Sequence, residues 1–178
     1  GTLVGDLLLK RYFTYTGKLT TIDRHESTEE TPNSTLTTDL ALNEWTQARL
    51  QDKGDSYYLQ DESCRVVELY LAEDGVGLTD TWPTGDGRVL KVEFFVEWAT
   101  DVTQGIPAGT YKVVARDEES KGIPREFLKP GGIASGYPNV FTYPAGTWYE
   151  KISNGTMKEY ARIDAGTMTV VRDGDKHT

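Results

Sequence analysis

Apolar and polar positions alternate along most of this chain with the period of a β-strand. Residues 3–9 and 12–19 hold Leu, Val, Tyr, Phe and Thr and read as two strands. Residues 25–33 are charged and polar and read as a loop. Residues 38–53 break the pattern. Thr38 or Asp39 stands at a capping position, Ala41, Trp45 and Ala48 recur at helical spacing, and Gly54 follows, which together predict a short helix. Beyond Gly54 the strand period returns over residues 57–61, 64–72 and 89–98. The stretch Val89-Leu90-Lys91-Val92-Glu93-Phe94-Phe95-Val96-Glu97-Trp98 is apolar enough on both faces to read as a central strand. Between 72 and 89 lies a loop dense in Gly, Asp and Pro.

A short phrase then recurs at strand entries. Pro107-Ala108-Gly109-Thr110, Pro144-Ala145-Gly146-Thr147 and Asp164-Ala165-Gly166-Thr167 each precede a large apolar residue. Pro or Asp starts a turn, Gly is expected to take the positive-φ corner, and Thr enters the strand. Asn154-Gly155 predicts a two-residue hairpin joining 147–153 to 156–163, and Asp173-Gly174 predicts another turn. The expected fold is all-β and antiparallel, a two-layer sandwich or flattened barrel, with a calycin-like β-barrel as the alternative. One domain over 1–178 accommodates this, with 1–53 as a part that can pack separately.

Composition sharpens the class. The 178 residues carry a formal net charge of −9, against which neither a nucleic-acid backbone nor an anionic membrane surface is an expected partner. No apolar run is long enough to cross a membrane as a helix, so no membrane insertion is expected of this domain. Cys64 is the single cysteine, which excludes an internal disulfide and suggests a buried, inert thiol.

The polar chemistry has ordinary explanations. His25 and His177 lie in polar contexts and read as solvated, so neither a metal site nor a catalytic triad is expected. Asp74, Asp86, Asp173 and Asp175 sit beside glycines, where turn chemistry accounts for them better than calcium does; no cofactor is expected. Glu93 and Glu97 share a face with Lys91 and Phe95, and this Lys/Glu alternation reads as a solvent face. The aromatics are more suggestive. Tyr57, Tyr58, Trp82, Tyr137, Tyr143, Trp148 and Tyr149 stand at loops or strand starts, where exposed rings stack on sugars or pack on partners. Tyr57 and Tyr58, like Trp148 and Tyr149, are adjacent and point to opposite faces of a strand, so one ring of each pair is expected outside. The candidate ligand-binding set is therefore Tyr57, Tyr58, Trp82, Tyr137, Trp148 and Tyr149.

Three phrases in order, Gly54-Asp55-Ser56-Tyr57-Tyr58-Leu59-Gln60, Leu90-Lys91-Val92-Glu93-Phe94-Phe95 and Ile106-Pro107-Ala108-Gly109-Thr110-Tyr111, resemble a group of secreted β-rich lipoproteins of Bacteroidetes. The segment from Gly166 to Thr178 looks like their closing hairpin, so the resemblance covers residues 54–178. It implies export and a secreted, outer-membrane or cell-surface location, with no assigned chemistry. Cys64 lies far inside the sequence and does not fit the lipidated cysteine of such proteins. Gly146-Thr147-Trp148 is similar to the opening strand of a lipocalin, but Thr79-Asp80, similar to a later lipocalin motif, precedes it. The expected function is a non-enzymatic binding or structural module whose ligand is a glycan or a surface protein. A calycin-like carrier of a small apolar ligand is the alternative, and a carboxylate-dependent glycan hydrolase a more distant one.

Overall fold

The structure is a computed structural model that describes residues 34–42, 45–54, 64–80, 82–137, 145–173 and 176–177. The expected strands at 3–9, 12–19 and 57–61 lie outside the described residues, as do Tyr57, Tyr58, Tyr143 and His25. The fold is all-β, a curled half-barrel sheet with a small second sheet. Its strands are β1 (Gln47–Gly54), β2 (Arg65–Ala72), β3 (Val76–Gly77), β4 (Thr84–Gly85), β5 (Gly87–Val96) and β6 (Gly109–Val114). There follow β7 (Gly132–Ala134), β8 (Trp148–Ser153), β9 (Thr156–Arg162), β10 (Thr167–Val170), β11 (Arg172–Asp173) and β12 (Lys176–His177). The helices among the described residues are two single 3-10 turns, Val102–Gln104 and Arg125–Phe127.

From Gln47 to Lys53 the predicted helix is replaced by a strand, and residues 38–42 and 45–46 before it are irregular. β1 pairs with β2 from Gln47 opposite Ala72 to Gly54 opposite Val66. In that register Ala48 and Leu50 pack on the core, while Gln47 and Arg49 reach loop carbonyls on the other side: Gln47 Nε2 donates to the carbonyls of Glu73 (3.0 Å) and Val76 (2.7 Å). A long ladder with an apolar neighbour outweighs a weak helical spacing. This places 47–54 in the main sheet, and Ser34 and Thr35 also join it, along the free side of β9.

β5 is central, as its two-sided apolar pattern implies. On one side it pairs with β2 from Val89 to Val96. On the other side it has two partners. β8 takes Gly87 to Lys91, and β7 takes Phe94. The sheet therefore forks beside Val92 and Glu93. One arm runs through β8 to β9, the other through β7 to β6 and β10. The β6–β7 pair is parallel, an exception to the expected antiparallel order, because β7 slots between β5 and β6. The arms meet again where Ser135 bridges Thr147.

The alternation of side chains now sorts the core. Val67, Leu69 and Leu71 of β2 and Leu90, Val92, Phe94 and Val96 of β5 point inward. They meet Trp45, Tyr111, Tyr149, Met168 and Val170 from strands or loops all round the curl, which makes this the principal core. The outer face of β2 and β5 carries two smaller apolar clusters. Cys64, Val66 and Phe95 pack under Ile123 and Leu128 at one end, and Tyr70, Ala72, Val89 and Ile152 pack under Val76 at the other. Cys64 is accordingly a buried thiol. The Asn154-Gly155 hairpin is present, with both residues at positive φ (50° and 67°), which a tight two-residue turn requires.

Candidate functional site

Between the two outer clusters the same face turns polar without turning to solvent. Glu68 of β2 lies opposite Glu93 of β5, and Tyr70 lies opposite Lys91. Glu150 of β8 lies opposite Val89, so it is diagonal to Lys91. Glu68 and Glu93 are 0 % exposed, and Lys91 and Glu150 are 2 % exposed. The Lys/Glu alternation read as a solvent face is therefore interior, and only Glu97, beyond the strand end, is exposed. The reason is that β5 is covered on both faces, which leaves none for solvent.

Lys91 organises the group. Its Nζ is 2.7 Å from Glu93 Oε1 and 3.1 Å from Glu68 Oε1. Lys53 reaches Glu68 Oε2 from the rim at 3.6 Å, and the Tyr70 hydroxyl donates to the same oxygen at 3.5 Å. Burial works against the Lys91 ammonium, but Glu93 and Glu68 together outweigh it and hold its pKa above the ordinary lysine value.

Glu93 also closes the fork. Its carboxylate accepts a 2.7 Å hydrogen bond from the Gly146 N–H, and its own N–H donates to Thr147 Oγ1 at 3.3 Å. That N–H faces the gap between β7 and β8, and the threonine hydroxyl satisfies it there. Gly146 can approach because it has no side chain: at φ 82°, a Cβ would lie 2.1 Å from the Ser135 carbonyl oxygen. Its counterpart in the first strand-entry phrase differs. Gly109 is not at positive φ, so the shared sequence phrase does not impose one shared backbone corner.

Glu150 has no cation within ion-pair distance among the described residues. Burial pushes its carboxyl up to about 7, with Lys91 pulling the other way. A buried carboxyl near neutrality is a recognised mark of a functional position. Here Lys91 fills the centre of the carboxyl group, and among the described residues no group of three His, Cys, Asp or Glu side chains is arranged to hold a metal. Asp86 is committed to a turn, accepting from the Ser153 hydroxyl (2.7 Å) and the Asn154 N–H (3.1 Å).

Tyr57 and Tyr58 of the predicted aromatic set lie outside the described residues, and the other four do not gather at one surface. Trp148 and Tyr149 do point to opposite faces, but both are 0 % exposed, because each face of β8 is covered. Trp148 donates through Nε1 to the Ala145 carbonyl (2.8 Å), and Tyr149 donates its hydroxyl to Glu159 (2.9 Å). Trp82 and Tyr137 are partly exposed and are held by different elements. Trp82 sits in the β3–β4 loop, held by the Thr79 hydroxyl. Arg49 ties that loop to β1, donating to the Thr79 carbonyl and pairing with Asp80 at 3.3 Å. Tyr137 hydrogen-bonds Ala145 at the entry to β8 and stacks against Arg116, whose guanidinium carbon is 5.3 Å from the ring centroid.

Sequence reasoning missed the ion cluster. Its signal is Glu68, Lys91 and Glu93 inside strands whose other residues are apolar on both faces, since a charge in a central strand must be paired. No protein-family model matches the chain, and no curated protein or solved structure matches it.

Proposed function

We propose that this chain is a non-enzymatic binding or structural module, secreted or displayed at the cell surface, that engages its ligand through the β3–β4 loop. The observation that carries this reading is the commitment of Glu68 and Glu93 to Lys91 inside the sheet. The most catalysis-like carboxyl cluster among the described residues is thereby used to join strands. A hydrolase needs two carboxyls flanking a substrate cleft, and these flank a lysine.

The β3–β4 loop supports the binding half of the reading. The partly exposed Trp82 ring stands in one loop with Asp80, whose side chain is 98 % exposed, and Arg49 anchors that loop to the sheet. A ring for stacking, with a carboxylate and a guanidinium for hydroxyls, suits a glycan better than an apolar ligand. Secretion rests on the resemblance to exported lipoproteins. A screen of the purified protein against a glycan array and a lipid panel tests the reading. Glycan binding that falls at least tenfold in Trp82→Ala supports it; lipid binding without a glycan signal overturns it.

One observation favours a carrier instead. The Trp45 indole N–H is buried in the inner core with no hydrogen-bond partner among the described residues. A buried Trp N–H ordinarily finds one, and a ligand acceptor inside the curl would supply it. The lipid arm of the same screen reads this directly.

A further inference from the structure

The fork carries more ionisable groups than its pairing can balance. Two ammonium groups, Lys91 and Lys53, stand among three carboxyls, Glu68, Glu93 and Glu150. Among the carboxyls of the cluster, the short contacts of those ammonium groups go to Glu68 and Glu93. Glu150 is the remainder. The groups around it from each packed element, among the described residues, are Lys91 and Glu93 of β5, Glu68 and Tyr70 of β2, Lys53 of β1, and Tyr160 and Arg162 of β9, the tyrosine directly opposite on the hairpin and the guanidinium diagonal to Glu150 but paired with Asp164. The β3–β4 hairpin contributes Val76 to the neighbouring apolar cluster, and its charged residue among those described, Asp80, is turned out to solvent. No cation among the described residues lies within ion-pair distance of this third carboxyl, Lys91 only pulling on it from the diagonal, and a medium from which water is excluded penalises an unpaired charge steeply.

The location gives that imbalance a consequence. Glu150 rides on β8, whose ladder with β5 ends at Lys91 opposite Trp148, where the arms part. Glu93 holds the same point from the other strand through the Gly146 N–H. Separation of β8 from β5 hydrates Glu150 and removes the penalty.

We propose that the fork is a one-proton switch: with β8 docked on β5 the cluster retains a proton on Glu150, and losing that proton favours release of β8 from the central strand. The value near 7 for the docked carboxyl, against an ordinary 4.5, sets the working range between acid and slightly alkaline conditions. The proton leaves to solvent, and no bond beyond O–H changes. Low pH keeps the half-barrel closed and rising pH loosens one arm, while the β2–β5 ladder, which lacks Glu150, stays intact.

Native-state hydrogen exchange of the whole chain at pH 5 and pH 8, corrected for intrinsic rates, tests this. The opening constants of the β8 amides from Tyr149 to Ile152 are expected to rise on the order of 70-fold between those two values. In Glu150→Gln, which mimics the protonated carboxyl, the two constants should agree within about threefold. Constants that do not change in the parent protein, or a Gln variant that keeps the full ratio, overturn the proposal. So does a Gln variant whose β8 opening shifts equally at both pH values, the mark of a merely structural group. Carboxyl-carbon NMR of the unmodified protein serves if the variant does not fold. One glutamate titrating near neutrality is expected, and all glutamates titrating below about pH 5.5 overturn it.

Discussion

At the scale of single residues, Lys91 is the group on which the fork depends. It faces Glu68 and Glu93 at hydrogen-bonding distance in an interior that exposes 2 % or less of any of the three. Removing it strands two buried carboxylates. Lys91→Met is therefore expected to lower stability by about 3–5 kcal/mol. Replacing all three together by Met and Gln recovers most of that loss, and urea unfolding of the two variants checks both statements. Gly146 and Gly155 form a second contrast. Both sit at positive φ, but a Cβ on Gly146 meets the Ser135 carbonyl oxygen, while one on Gly155 meets nothing within 4 Å. Gly155→Ala should cost about 1 kcal/mol for the backbone alone. Gly146→Ala should cost at least about 3 kcal/mol, because the turn that carries its hydrogen bond to Glu93 must move. Side-by-side thermal melts distinguish the two.

At the scale of elements, stability should follow the position of each strand in the sheet. β2 and β5 have partners on both sides and side chains buried on both faces. β3 and β4 share a two-residue ladder. Amides of β2, and those of β5 that face β2, are expected to exchange only by global unfolding, and those of β3, β4 and β11 to exchange orders of magnitude faster. Much of this was legible beforehand. The strand at 89–98 announced itself by apolar residues on both faces, and Asn154-Gly155 by the one turn chemistry that tolerates two positive φ values. β1 was not legible. Its Ala48 and Leu50 become meaningful only opposite Leu71 and Leu69, a partnership across some twenty residues that local spacing does not encode. The fork was equally hidden, because it depends on β7 and β8 sharing one edge of β5. The Lys91 and Glu93 pattern was visible but misassigned. Taken with the central-strand reading of the same residues, it pointed inward all along.

For the whole molecule, pH should act from two sides. Glu73 is held below its ordinary value first by its hydrogen bond to Arg88, so its contribution is present above about pH 4.5 and is lost as pH falls. Glu150 runs the other way. Its folded pKa is raised from 4.5 to about 7, so stability is fully present below 4.5 and is lost as pH rises through 7. That 2.5-unit shift corresponds to about 3 kcal/mol. Asp164, raised by burial against the pull of Arg162, adds a loss in the same direction above its ordinary 3.8. Maximum stability is expected on the mildly acid side of neutral, and urea midpoints across pH 3–9 should trace an asymmetric dome that Glu150→Gln flattens on its alkaline side. The fork has one more consequence, for the chain as it is made. β5 leaves the ribosome about fifty residues before β8, which must close its other edge. For that interval a ten-residue strand rich in Val, Leu and Phe waits with one edge bare. Lys91 and Glu93, still hydrated, interrupt the stretch that would otherwise recruit strands from neighbouring nascent chains. Replacing both by Val should shift newly synthesised protein from the soluble to the aggregated fraction. The two charges that lock the finished fork thus first serve as guards of its unfinished edge.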